Sequence, residues 1–189
     1  MQQRIMQQTS FWERGCQYYV AGRFAVSAHL NPVVGNLLHH AIEFLLKGAL
    51  SKTRTLPELR QHLHALPPLW ETFKAEIGDA NLSRFDAAVA ALHTYEDLRY
   101  PDKALKDGMG SMISSHRLQL PPEMAAELNR RRAGLPSVPE YELCLRDIDE
   151  LVEAIFAVAK VNPRFFFNRM NLKARDTLVE NNLAAGLLK

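Results

Sequence analysis

The sequence has few cysteines, no long hydrophobic run and little excess charge. Cys16 and Cys144 lie far apart, outside any CxxC or metal-type spacing, which predicts two reduced thiols and a cytoplasmic protein. The N-terminal stretch MQQRIMQQTS lacks the apolar segment of a signal peptide, and no run approaches the roughly 18–20 apolar residues of a membrane span. We therefore expect neither export nor membrane insertion. The net charge of +2 argues against nonspecific coating of nucleic acid but allows a local basic patch.

Familiar catalytic and metal-binding motifs are also missing. The sequence contains no Gly-rich phosphate loop, no Gly-x-Ser-x-Gly elbow and no Cys/His pairing with an orienting acid. His40, Glu43 and Lys47 lie on one ridge of a helix. Of these, only His40 and Glu43 are metal ligands, and two ligands are too few to hold a metal ion. No second Glu-x-x-His helix completes a di-metal site, so the spacing favours an ion pair between Glu43 and Lys47 with a hydrogen-bonded histidine. His62 and His64, two residues apart, point to different sides of a helix and are expected to be surface histidines instead of ligands. We predict no metal and no cofactor.

What the chain does have is helical periodicity. Apolar residues recur at three- and four-residue steps in four segments, which predicts long helices over residues 12–30, 32–50, 83–100 and 141–160. Asn31 and Pro32 are expected to supply a capping side chain and a first-position proline for the second helix. The same spacing predicts one core that contains Leu38, Ala41, Ile42, Leu45, Val89, Leu92, Ile148, Val152 and Ile155.

Shorter segments connect and extend these helices. Prolines break the pattern between residues 51 and 78, which predicts short helices around 58–66 and 69–77, and another short helix covers about 122–132. Residues 103–122 have no helical period and are predicted to form a long loop, in which 113–120 could pair as extended chain. The fold class is all-α. Residues 1–161 form one domain, and the tail of residues 162–189 is expected to pack on the bundle or on a second subunit.

Three stretches, in this order, resemble HEPN domains: HHAIEFLLKGAL at 39–50, LRYPD at 98–102 and LRDIDELVEAIFAVAK at 145–160. The first carries an Ala-x-Glu-x-x-x-Lys pattern, and the second contains the Arg-Tyr-Pro that often ends the third helix of this family. The resemblance covers roughly residues 12 to 161 and leaves out the tail. It implies an up-and-down four-helix bundle, here with extra short helices and a C-terminal extension, that usually dimerises and binds nucleotides or RNA.

The ribonuclease motif of the family is not in its usual place. Many HEPN domains are metal-independent ribonucleases, often toxins, with an arginine followed four to six residues later by a histidine near the last core helix. That helix contains Arg146 here, but no histidine follows His116. Arg23 and His29 have the required separation, and they lie in the first helix. Six helical residues turn about 600°, so these two catalytic candidates do not share a face.

Two further segments are candidates for binding a nucleotide or RNA. In the tail, Lys160, Arg164 and Arg169 interleave with three phenylalanines, a composition that can track phosphates and stack bases or can simply anchor the tail. In LRYPD, Arg99 and Tyr100 lie directly before Pro101, where a guanidinium and a phenol could bind a phosphate and flank a base. Alternatively, Tyr100 packs under the long loop while Arg99 pairs with a nearby carboxylate.

We therefore interpret the chain as a HEPN-like nucleotide- or RNA-binding or regulatory module that lacks an intact ribonuclease motif. One alternative is a toxin-type, metal-independent endoribonuclease with a relocated site. The other is a purely structural bundle that binds proteins. The expected partners are a second copy of the chain, an RNA or nucleotide ligand and, for a toxin, an antitoxin-like protein.

Overall fold

The computed structural model describes residues 2–78, 80–99, 102, 106, 110–117, 121–134 and 140–184, with the backbone alone at 2, 3, 80, 97 and 99. Within these residues the chain is a mostly α-helical bundle with one small two-stranded sheet. The α-helices are α1 Gln2–Ser27, α2 Asn31–Leu50, α3 Leu56–Arg60, α4 Leu66–Ile77, α5 Asp86–Tyr95, α6 Pro122–Arg132, α7 Leu145–Ala159, α8 Arg164–Phe167 and α9 Leu172–Asn181. The strands are β1 Gly110–Ser114 and β2 Glu140–Cys144, and 3₁₀ helices cover Ala80–Phe85 and Glu96–Arg99.

Helices α1 and α2 form the centre of the bundle as an antiparallel pair. Glycines allow the two backbones to approach closely, because a Cβ at Gly15 would lie 2.7 Å from the Leu45 side chain and one at Gly48 would lie 3.1 Å from the Trp12 ring. These contacts pair early residues of α1 with late residues of α2. The prediction that Asn31 caps α2 is wrong: Asn31 is the first helical residue, and Leu30 precedes it without any side-chain cap. Pro32 lies in the first turn, where its missing N–H leaves no bond unmade.

All nine residues predicted for the core are buried. Leu38, Ala41, Ile42 and Leu45 of α2 have no exposed surface, and neither have Leu92, Val152 and Ile155. The apolar side of α7, which carries Ile148, Val152 and Ile155, packs on α2, as its helical spacing predicts. The all-α prediction is therefore confirmed at the level of a helical bundle and its core.

The small two-stranded sheet was not predicted from the helical spacing of the sequence. Strand β1 runs parallel to β2, with Gly110 opposite Glu140 and Ser114 opposite Cys144. The sequence predicts that the last core helix begins at Tyr141, but α7 begins at Leu145 and Tyr141 belongs to β2. Because side chains alternate along a strand, Tyr141 and Leu143 are buried while Glu140 and Glu142 are exposed. The predicted loop 103–122 thus contains strand β1.

The predicted helix over residues 83–100 is divided into three elements. The 3₁₀ helix Ala80–Phe85 precedes α5, and the 3₁₀ helix Glu96–Arg99 follows it. Asp86 begins α5, and its Oδ1 accepts hydrogen bonds from Trp70 Nε1 and Lys74 Nζ of α4, both at 2.7 Å. These bonds join α5 to α4 at the point where the α-helical geometry begins.

Part of the tail packs on the bundle. Phe166 and Phe167 of α8 and Leu178 of α9 are buried, whereas Phe165 is 53% exposed. The Phe167 ring meets the Tyr19 ring edge-on, with centroids 6.2 Å apart, and Phe166 stacks near Trp12. Asp149 of α7 also holds the tail backbone, because its Oδ2 accepts a hydrogen bond from the Leu183 N–H at 2.7 Å. Among the described residues, no helix has the length and apolar character needed to cross a membrane.

Candidate functional site

A buried carboxylate on α2 gathers polar side chains from two elements. Glu43 is only 3% exposed, and its Oε1 accepts a hydrogen bond from Lys47 Nζ at 2.6 Å. Its Oε2 faces His40 Nδ1 at 3.2 Å and His64 Nδ1 at 3.1 Å. The predicted ion pair between Glu43 and Lys47, with a hydrogen-bonded His40, is therefore confirmed. His64 joins this cluster from the turn that follows α3.

The turn of residues 61–64, which carries His64, is held by side chains of α2. Lys47 Nζ donates a hydrogen bond to the Leu63 carbonyl oxygen at 2.9 Å, and His39 Nε2 lies 2.9 Å from the His64 carbonyl oxygen. Leu63 has a φ of 47°, in the left-handed region that non-glycine residues seldom adopt. Strained backbone of this kind persists only where its surroundings fix it, so α2 holds the His64 side chain in position over Glu43.

The charge state of Glu43 follows from its neighbours. Burial alone would raise the pKa of Glu43, but hydrogen bonds from His40, Lys47 and His64 and the charge of Lys47 lower that pKa to about 2. Glu43 is therefore ionised at neutral pH. An ionised carboxylate only accepts hydrogen bonds, so His40 and His64 must each carry a proton on Nδ1 to donate to it. In a neutral ring the Nε2 atom is then free to accept a proton.

The cluster opens into a cleft of about 360 Å³ between α1, α2 and α3. Phe11 and Phe44 supply aromatic walls with ring centroids 6.1 Å apart, and Lys47 and Glu43 form its polar end. Arg14 and Arg60 are exposed at the edge of the cleft, and neither guanidinium has a partner among the residues that the structure describes. We call this cavity, with the His40, Glu43 and His64 cluster at its end, the α2 cleft.

Another histidine of α2, His39, lies next to the cluster at the end of the cleft. His39 is fully buried, and its Nδ1 and Nε2 face the carbonyl oxygens of Leu92 and His64. Burial lowers the pKa of His39, although the charge of Glu96, whose Oε2 lies 3.4 Å from Nε2, opposes that shift. A neutral His39 carries one proton, and the shorter contact to the His64 oxygen favours its location on Nε2. His39 thus acts as a buried link between α2, the end of α5 and the turn.

The two residues of the predicted catalytic pair, Arg23 and His29, lie in different surroundings. Arg23 is 7% exposed and points into the bundle, where its Nη2 lies 3.6 Å from Asp149 Oδ2 and donates to the Asn181 carbonyl oxygen. His29 is exposed just beyond the end of α1. Tyr19 completes the buried network, since its hydroxyl donates to Asp149 Oδ1 at 2.6 Å. Arg23 therefore contributes to the docking of the tail in this structure.

The predicted basic residues of the tail lie in different surroundings. Arg164 lines a groove of about 360 Å³ together with Asn168 and Arg175. Arg169 instead donates to Glu13 Oε1 at 2.7 Å, and its guanidinium lies 4.3 Å from the Phe165 ring centroid. Lys160 is exposed at the C-terminal end of α7. The Arg99 side chain and Tyr100 lie outside the described residues, so the proposed binding role of LRYPD stays a prediction.

Sequence reasoning missed the contribution of His64, Arg14 and Arg60 to the α2 cleft. His64 lies 21 residues from Glu43, and no local periodicity connects them. Pro67 and Pro68 lie in the first turn of α4, so they mark the start of that helix and do not predict where the preceding turn lies against α2. Comparison with known proteins gives no match, since no family model, curated protein or solved structure is significantly similar to this chain.

Proposed function

We propose that the protein binds a nucleotide or single-stranded RNA in the α2 cleft. The observation that supports this most directly is the pair of unpartnered arginines, Arg14 and Arg60, at the edge of a cleft with aromatic walls. Lys47 adds a third cation, and Glu43 is the one anion among the residues that line the cleft. The excess positive charge attracts a phosphate. Each guanidinium can also bind two phosphate oxygens at once through parallel N–H groups.

The aromatic walls of the cleft suit the base of a nucleotide. Phe44 stacks on Tyr18 with centroids 5.5 Å apart and an interplanar angle of 9°, while Phe11 lies tilted beside it. Both phenylalanines are half-buried, so part of each ring faces the cleft. A nucleobase can stack on such rings without sequence preference, at about 1–3 kcal/mol per base. The volume also falls in the range of small-ligand sites, roughly 300–1,000 Å³.

The resemblance to HEPN domains gives the proposal independent support. The Ala-x-Glu-x-x-x-Lys pattern that carries the resemblance supplies Glu43 and Lys47, the two charged residues at the end of the cleft. Nucleotide or RNA binding is what that resemblance implies. The proposed contact residues differ from those predicted in the tail and in LRYPD.

A binding titration with paired variants tests the proposal. A fluorescently labelled adenine nucleotide and a labelled single-stranded RNA of mixed sequence are titrated with the wild type and with the double variant Arg14→Ala/Arg60→Ala. Loss of two charge-assisted contacts should weaken binding by about tenfold or more without changing the melting temperature. The matched control, Arg164→Ala/Arg175→Ala, removes the same two guanidinium groups from the tail groove and should bind as the wild type does. If instead Arg164→Ala/Arg175→Ala weakens binding and Arg14→Ala/Arg60→Ala does not, the ligand binds in the tail groove.

RNA cleavage is a second candidate for the same cleft, and the arrangement of Glu43 with two histidines favours it. A carboxylate that holds the Nδ1–H of an imidazole leaves Nε2 available as a general base, and a second imidazole could serve as the acid. His64 is accessible, with its side chain 68% exposed. Incubation of RNA with the protein in EDTA should yield cleavage products that His64→Ala does not yield. If the wild type leaves RNA intact, the protein binds without cleaving it.

The assembly and location of the protein complete the proposal. We propose a homodimer in the cytoplasm, with an antitoxin-like partner only if RNA cleavage is found. The HEPN resemblance supports the dimer, and the free thiols of buried Cys16 and half-buried Cys144 suit a reducing compartment. Light scattering across the micromolar range tests the dimer directly.

A further inference from the structure

A group of three possible metal ligands lies at the end of the α2 cleft. One ligand atom from each of His40, Glu43 and His64 lies within 4.8 Å of the other two. The Glu43 oxygen is 3.2 Å from the first nitrogen and 3.1 Å from the second. Ligand atoms about 2.0–2.2 Å from a tetrahedral zinc ion are separated by roughly 3.3 Å. The contacts of Glu43 are therefore already close to the edges of a coordination polyhedron.

We propose that His40, Glu43 and His64 form a binding site for a first-row divalent metal ion, with Zn²⁺ as the best-fitting common ion. Two imidazole nitrogens and one carboxylate oxygen are a ligand set that zinc uses when a fourth position is left to water or a substrate. Mg²⁺ and Ca²⁺ prefer oxygen ligands, so the set selects against them. The site does not depend on the nucleotide proposed above.

Metal binding requires only a change of tautomer. In the metal-free site the two rings donate Nδ1–H to the carboxylate. When the ion enters, the proton on each Nδ1 is released to solvent and one is taken up on Nε2. The rings stay neutral, no net proton is lost, and both Nδ1 lone pairs face the ion. The ion then takes the place of the two protons beside Oε2.

The neighbouring groups hold the three ligands in place. Lys47 binds Oε1 of Glu43 and leaves Oε2 for the ion, while it also holds the turn through the Leu63 carbonyl oxygen. His39 holds the turn through the carbonyl oxygen of His64 itself. His40 packs against the Tyr18 ring, with centroids 5.3 Å apart. Groups that orient ligands in this way typically account for about tenfold to a hundredfold of metal affinity.

The accessible side of the site is the cleft. The His64 side chain is 68% exposed, whereas Glu43 is 3% exposed and His40 is 18% exposed. An ion can therefore enter from the side of His64 and bind the buried carboxylate last. The Nε2 atoms of both histidines carry the ring protons and do not bind the ion.

The neighbouring histidine of the same turn provides a matched control. His62 is two residues from His64, and among the described residues its side chain makes no hydrogen bond or ion pair with Glu43. Removing His62 takes away one imidazole from the same turn but none from the cluster. His64→Ala changes an exposed side chain, so it should leave the fold intact.

The experiment is a calorimetric titration of Zn²⁺ into protein that has been stripped with EDTA and dialysed. The wild type should bind one ion per chain, His64→Ala should lose at least about tenfold in affinity, and His62→Ala should match the wild type. Mg²⁺ should give no binding signal. Circular dichroism confirms that each variant is folded. His40→Gln, which keeps a side chain able to donate to Glu43, provides a second ligand variant and should also lose affinity.

Three results would overturn the proposal. These are the absence of stoichiometric Zn²⁺ binding by the wild type, unchanged affinity in His64→Ala, and an equal loss in His62→Ala, which would indicate nonspecific binding by surface histidines. Because the titration contains no nucleotide or RNA, failure of the metal site leaves the proposed ligand of the cleft untouched. Failure of nucleotide binding likewise leaves the metal result standing.

Discussion

At the scale of single residues, the charge of Glu43 links stability to pH. The pKa of Glu43 is lowered from 4.5 to about 2 in the folded chain, so folding favours the ionised form. The stabilisation is fully present above pH 4.5 and is lost as the pH falls towards 2. His40, His64 and Lys47 are the groups that supply it.

We expect the advantage of the wild type over Glu43→Gln to shrink in acid. A shift of this size corresponds to on the order of 3 kcal/mol in the free energy of unfolding. That part of the difference between the two proteins should disappear between pH 5 and pH 2. Urea unfolding at several pH values measures it. A difference that stays constant across this range would show that Glu43 does not titrate as the geometry implies.

Leu45 tests the packing of the core at the same scale. It has no exposed surface and lies against Gly15 of α1. Leu45→Ala should cost about 2–5 kcal/mol of unfolding free energy, since it removes buried methyl groups and leaves a cavity. Leu172→Ala, at a position 68% exposed, removes the same atoms and should cost under about 0.5 kcal/mol. A loss below half a kcal/mol in Leu45→Ala would remove Leu45 from the core.

The His64 contact shows why part of the site could not be predicted. Residues within α2 are placed by the helical repeat, so the contacts of Glu43 with His40 and Lys47 follow from their spacing. His64 reaches Glu43 because a turn with a left-handed residue, Leu63, brings the chain back. No sequence pattern specifies that backbone conformation at a leucine. The ion pair was therefore predictable, and the cluster was not.

At the scale of elements, the contact between α2 and α5 depends on one glycine. A Cβ at Gly35 would overlap the ring of Tyr95, which is buried on α5. Alanine is the better helix former by about 1 kcal/mol, so propensity alone would make Gly35→Ala stabilising. The close approach of the two helices reverses that expectation.

Gly35→Ala should therefore lower the melting temperature, by an amount that corresponds to about 1–3 kcal/mol of overpacking. Gly48→Ala in the same helix is the graded comparison, because its Cβ would lie 3.1 Å from the Trp12 ring and needs only a small adjustment. Differential scanning calorimetry of both variants gives the ranking. If Gly35→Ala melts above the wild type, the two helices are farther apart than the structure places them.

The small sheet shows where the helical repeat misleads. Tyr141 lies four residues before Leu145, which fits a helical stripe, yet EYELC also alternates polar and apolar residues as a strand does. The alternation is decisive because β1 supplies a partner, with Tyr141 opposite Ser111. That partner is 30 residues earlier in the chain, so the local pattern could not choose between the two interpretations. The helix α2, in contrast, was predictable from its own spacing, whereas α1 extends from Gln2 to Ser27 and so begins ten residues before the predicted start at residue 12.

At the scale of the whole molecule, the tail bears on both stability and assembly. Its three successive phenylalanines have different surroundings: Phe167 is 1% exposed and Phe166 is 8% exposed, while Phe165 is 53% exposed. The buried rings pack on α1 and α7 of the same chain. Among the described residues of the tail, the exposed large apolar side chains are Phe165, Leu172 and Val179, and these could contact a second subunit.

Two single substitutions should therefore separate folding from dimerisation. Phe167→Ala removes a fully buried ring and should cost about 3–5 kcal/mol of unfolding free energy, measured at concentrations where the chain is monomeric. Phe165→Ala should change that free energy by less than about 1 kcal/mol, because its ring is half in solvent. If the tail contributes to the proposed dimer, Phe165→Ala should instead weaken association in light scattering across the micromolar range, since an apolar ring buried at an interface stabilises the complex. A wild type that stays monomeric throughout this range would rule out the dimer, and an equal dimer in Phe165→Ala would exclude this face of the tail from the interface.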